Sequence, residues 1–111
     1  MNKLFGIGHF PHYKRNSIRI AWRYNEGTGL IDLFTYSYSD GRRITSYLTT
    51  VGIGKPFTAE IYEVAGQYVV TAAGQTQFTV MSYFDVGYLM RPRFGGGNVA
   101  PHDIRIHMKR L

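Results

Sequence analysis

From Ser17 to Asn25 the chain alternates without a break, with Ile18, Ile20, Trp22 and Tyr24 on one parity and Ser17, Arg19, Ala21 and Arg23 on the other. Successive side chains of an extended chain point to opposite faces, so this pattern predicts a half-buried strand. It places Trp22 in a core and Arg19 and Arg23 on the opposite face. The same period of two recurs over residues 3–8, 30–38, 43–51, 57–64, 67–72, 75–82, 87–90 and 102–108. Turn residues separate these runs, and Asp40-Gly41 is the strongest signal, because a type I′ hairpin needs positive φ at both central residues. No stretch holds a 3.6-residue period with capping residues, so no long helix is expected.

About eight or nine short strands at close spacing, with no helical segments between them, predict an all-β fold. The expected architecture is a two-sheet antiparallel sandwich of the jelly-roll, concanavalin-like kind, formed as a single domain over residues 1–111. The N- and C-terminal strands are expected side by side, which removes two exposed edges. Strand 30–38 is apolar on both faces near its start and is expected in the middle of a sheet. In the second half the core candidates are Phe57, Ile61, Tyr68, Val70, Phe78 and Val80.

The residues exclude more chemistry than they suggest. There is no cysteine, so thiol catalysis, disulfides and cysteine metal sites are ruled out. Glycoside hydrolysis needs two carboxylates facing each other across a groove. The seven acids show no such arrangement: Glu26 and Asp40 fall in turns, and Glu60 and Glu63 lie on opposite faces of one strand. Of the four histidines, His9 and His12 flank Pro11, while His102 and His107 point to opposite faces, so no metal site is expected. No serine sits in a strand–turn–helix elbow. Gly95-Gly96-Gly97 lacks the Lys and Ser/Thr of a phosphate loop. The expectation is a non-enzymatic protein without a cofactor.

Aromatic residues are the informative group. Tyrosine with arginine is the composition of binding surfaces, pairing a flat amphipathic ring with a multidentate donor. The candidate binding or interface residues are Arg19, Arg23, Tyr36 and Tyr38 on strands, together with Arg91 and Arg93 in the Gly/Pro-rich segment 91–101. A protein partner, a glycan and, less well, single-stranded nucleic acid all fit this composition. The net charge of +6 is compatible with each, but the basic residues are spread along the chain rather than run together. No segment approaches the roughly 20 apolar residues of a helical membrane span, and no membrane partner is expected.

Three stretches bear a family resemblance: Asn16-Ser17-Ile18-Arg19-Ile20-Ala21-Trp22-Arg23, the Tyr36, Tyr38 and Asp40-Gly41 group, and Phe94-Gly95-Gly96-Gly97-Asn98-Val99-Ala100-Pro101-His102-Asp103-Ile104. Together they resemble small concanavalin-like sandwich proteins of gut bacteria and their tailed phages, including crAss-like phages. The last segment is also similar to the final strands of laminin-G-like and glucanase-like sandwiches. The resemblance implies a structural or decoration protein of a phage virion, or else a lectin-like carbohydrate-binding module. The enzymatic relatives have an acidic catalytic strand that this chain lacks. No signal peptide is visible in residues 1–10, which assigns no location but is consistent with the host cytoplasm during assembly and with a virion, where the partner would be a capsid or a second copy of the chain.

Overall fold

The structure is a computed structural model that describes residues 1–9, 16–64, 67–80 and 87–90. Its described elements are eight strands: β1 (Asn2–His9), β2 (Ser17–Asn25), β3 (Leu30–Ser39), β4 (Arg42–Val51), β5 (Ala59–Val64), β6 (Gln67–Ala72), β7 (Gln75–Val80) and β8 (Gly87–Met90). All pairings are antiparallel, in a five-stranded sheet ordered β4-β3-β2-β1-β8 and a three-stranded sheet ordered β5-β6-β7. The protein is a two-sheet β-sandwich. β3 is interior to its sheet, as its two apolar faces predict. β1 pairs with β2 on one side and β8 on the other; the predicted C-terminal strand 102–108 lies outside the described residues.

The core sits between the sheets. Ile18, Ile20 and Trp22 of β2, Leu33 of β3 and Leu48 of β4 meet Tyr68, Val70 and Ala72 of β6. Each large apolar side chain fully buried there contributes about 1.5–3 kcal/mol relative to exposure. A register shift between Leu33 and Phe34 lets β4 change parity, so that Tyr47 faces outward while Leu48 turns into the core.

Two hairpins carry the expected turn geometry. Asp40 and Gly41 have φ of 49° and 80°, and Ala73 and Gly74 have φ of 48° and 82°. Aspartate tolerates the left-handed region, whereas alanine does so at a cost of about 1–2 kcal/mol. Ala73→Asn is therefore expected to raise stability by up to about 1 kcal/mol, visible as a higher melting temperature.

Two core expectations are corrected. Phe57 is exposed, because β5 begins at Ala59 and leaves it in the preceding loop. Phe78 is 68% exposed and pairs with Val69 on the outer face of the small sheet. The inner parity of β7 is polar instead. Gln77 accepts a hydrogen bond from Thr35 Oγ1 at 3.0 Å and donates to Ser46 Oγ and to the Tyr47 carbonyl. β7 thus meets backbone and hydroxyl groups of β3 and β4 rather than apolar side chains, and its aromatic residue is turned out. The side chain of Val80 lies outside the described residues.

Candidate functional site

The outer face of the five-stranded sheet follows from hairpin register. A two-residue turn at Asp40-Gly41 sets Tyr38 opposite Arg43, Tyr36 opposite Thr45 and Phe34 opposite Tyr47. The β2–β3 register adds Ser17 beside Tyr38, Arg19 beside Tyr36, Ala21 beside Phe34 and Arg23 beside Asp32. Lys3 joins from β1, opposite Ala21. The four strand candidates Arg19, Arg23, Tyr36 and Tyr38 therefore share one face, while Arg91 and Arg93 lie outside the described residues.

Arg19 and Arg23 have different surroundings. Arg19 is only 6% exposed, and its Nε lies 3.3 Å from Met90 Sδ on β8. Gly6 lies between them in register, opposite both Arg19 and Met90. A Cβ at Gly6 would come within 2.5 Å of Arg19 Cγ, so the absent side chain is what lets Arg19 lie across β1. Arg19 is thus part of the packing of this face rather than a group offered to solvent. Arg23 is exposed and forms an ion pair with Asp32 at 3.6 Å. Asp32 also accepts hydrogen bonds from Thr50 Oγ1 at 2.9 Å and Asn25 Nδ2 at 3.2 Å, and Tyr47 hydrogen-bonds Thr50 at 2.6 Å. This acid is committed to holding β2, β3 and β4 in place.

Cations and rings interleave over the rest of the face. Lys3 Nζ stands 4.5 Å from the centre of the Tyr36 ring, and the Arg43 guanidinium carbon stands 6.0 Å from it. Arg23 lies over Phe34 at 5.2 Å. The Tyr36 and Tyr38 rings meet edge to face at 74°, and Phe34 and Tyr47 at 80°. Burial pushes the Tyr36 phenol up. Hydrogen bonds from Arg43 and Tyr38, with the charges of Lys3 and Arg43, outweigh it and hold the phenol below its ordinary value. The Tyr36 bond in turn raises the Arg43 pKa.

A depressed phenol ionises more readily folded than unfolded, so its contribution to stability appears as pH rises through the folded pKa and is lost below it. Removing the guanidinium in Arg43→Ala should move the Tyr36 pKa upward. An ultraviolet titration of phenolate absorbance, differenced against the same variant carrying Tyr36→Phe, reads that shift; an unchanged Tyr36 transition would contradict the contact.

Sequence reading put Phe34 on the face of Tyr36 and Tyr38 but missed Lys3, Arg43 and Tyr47 as members of it. Summing positions about the Asp40-Gly41 turn would have found Arg43 and Tyr47, opposite Tyr38 and Phe34, since residues adding to the same total face each other across a hairpin. It also described the basic residues as spread out. Among the described residues Lys3, Arg19, Arg23, Arg42 and Arg43 lie on the five-stranded sheet and Lys55 in a loop, and residues 56–90 contain no Lys, Arg or His. Among the described residues no group of three His, Cys, Asp or Glu is placed to hold a metal ion, and no helix is long and apolar enough to cross a membrane. Comparison with protein-family models found no match, and searches of curated proteins and of solved structures likewise found none.

Proposed function

We propose that the protein is a non-enzymatic structural component, an auxiliary protein of a phage virion, which docks on a protein assembly through the outer face of its five-stranded sheet. The observation behind this reading is that two rings of the face, Tyr36 and Phe34, already have cations over them, and that the rings meet in edge-to-face pairs, Tyr36 with Tyr38 and Phe34 with Tyr47. A sugar chain or a run of bases stacks on open, accessible ring faces. At Tyr36 and Phe34 either ligand would first have to displace Lys3, Arg23 or Arg43. A protein surface has no such requirement: it buries the ring edges while its acidic and carbonyl groups meet the exposed Arg23 and Arg43. The resemblance to small sandwich proteins of tailed phages points the same way.

The test is co-sedimentation of purified protein with virions of the phage whose genome encodes the chain. Binding is expected for the wild type, and Arg43→Glu and Tyr47→Ala should each weaken it at least about tenfold, the scale of an interface hot spot. No association with virions or any capsid-sized assembly would sink the reading. So would binding of a glycan at millimolar concentration that the same substitutions abolish, which would favour a lectin-like module. Neighbouring structural phage genes would support docking, and glycan-degradation genes would oppose it.

A further inference from the structure

The two outer faces of the sandwich are unlike in a complementary way. On the three-stranded sheet the register places Glu60, Tyr62 and Val64 of β5 outward, beside Thr71, Val69 and Gln67 of β6, with Thr76 and Phe78 of β7 completing the rows. The row Tyr62–Val69–Phe78 runs straight across this face. Val69 is buried beneath its neighbours, whereas Tyr62, Val64 and Phe78 are exposed. The only charged residues on the three strands are Glu60 and Glu63. The opposite side of the molecule presents Arg23, Arg43, Thr45 and Tyr47 to solvent, with Lys3, Tyr36 and Tyr38 half-buried among them. Glu63 pairs with the core residue Tyr68 on the inner parity, so Glu60 is the one acid of this outer face: one side is aromatic with a single carboxylate and no cation, the other basic and aromatic.

From this we infer that the aromatic outer face of the three-stranded sheet, which bears Glu60, docks on the basic outer face of the five-stranded sheet of a second copy of the chain. Phe78 and Tyr62 would meet the Tyr36–Tyr47 region, and Glu60 would meet Arg43. Like-to-like contact is disfavoured on the basic side by its facing arginines, and charge complementarity selects the unlike pairing. The two faces lie on opposite sides of the sandwich, so the contact is head-to-tail and does not close on itself: each bound copy leaves one free face of each kind. The small face is limiting. Three strands of six residues span about 300 Å² at the usual strand spacing and rise, well under the roughly 800 Å² per partner of a standard stable interface. A single contact is therefore weak, with dissociation in the range of about 0.1–1 mM.

The inference rests on reading the five-stranded face as a docking surface, and the experiment separates the two. Sedimentation velocity of the wild type at low salt, up to about 1 mM, should show a mass that climbs with concentration past the dimer and falls back as salt screens the contact. Arg43→Glu removes the basic face, and Glu60→Gln with Phe78→Thr removes the opposite one without creating a cation that could pair with the new glutamate; circular dichroism checks that each variant stays folded. Each variant alone should be monomeric. An equimolar mixture has one working face of each kind and should form dimers and stop there. A variant that dimerises alone, or a mixture that stays monomeric while the wild type assembles, would overturn head-to-tail contact. A wild type that remains monomeric at about 1 mM and low salt would overturn self-docking altogether. If virion binding still depended on Arg43 in that case, the docking reading would stand without it.

Discussion

Replacing Trp22 with alanine should cost the fold about 3–5 kcal/mol, the range for truncating a fully buried aromatic side chain. Trp22 is 2% exposed and stands among Ile18, Ile20, Leu33 and the β6 residues Tyr68, Val70 and Ala72. It is the largest of the fully buried side chains. A domain of this size has a net stability of about 5–15 kcal/mol, so the loss is a large fraction of the whole. Denaturant melts followed by far-ultraviolet circular dichroism should show a midpoint far below that of the wild type, or no folded baseline at all. Trp22→Phe keeps much of the volume and should fall well short of that loss. Equal effects from both substitutions would mean that packing volume is not what Trp22 supplies.

Gly6→Ala is the second large effect, and its cause is steric rather than a cavity. The added Cβ would lie 2.3 Å from the Ile18 carbonyl oxygen and 2.9 Å from Arg19 Cα, both backbone atoms that cannot swing aside. Either β1 moves away from β2 or the Arg19 side chain leaves its course toward Met90. Overpacking of this kind costs about 1–3 kcal/mol, and a clash with backbone on an interior strand belongs at the upper end. A chemical melt gives the magnitude. Arg19→Ala made in the Gly6→Ala background separates the two causes: it removes the side-chain clash and leaves the carbonyl clash. Full recovery of stability in the double variant would show that Arg19, not the strand backbone, was the obstacle.

Much of the sandwich was legible because period-two alternation and turn chemistry are local. Ser17–Asn25, Gln67–Ala72 and Gly87–Met90 needed nothing beyond their own residues to be placed. Phe78 shows where local reading stops. An aromatic residue on a strand is ordinarily assigned to the core, yet the inner parity of β7 is set by what β3 and β4 offer it, and they offer Thr35, Ser46 and a carbonyl. That information lies some thirty to forty residues away along the chain. Arg19 is similar: its parity was readable, but its burial depends on a glycine in one neighbouring strand and a methionine beyond it. The candidate face was half legible for the same reason. Parity assigned its members on β2 and β3, while Arg43 and Tyr47 required the register of the hairpin.

The Gln77 amide also bears on how the sandwich comes apart. It ties the three-stranded sheet to β4 along one side, through both a hydroxyl and a main-chain carbonyl of that strand. β5, at the other edge of the small sheet, pairs with β6 alone among the described residues, and most of its side chains are exposed. Partial opening should then proceed like a door, hinged at β7 and swinging free at β5. In native-state hydrogen exchange the amides of β5 would be the first of the small sheet to exchange, and those of β6 would hold until the whole domain unfolds. Gln77→Ala would free the hinge, and the difference in protection between β7 and β5 should narrow with it.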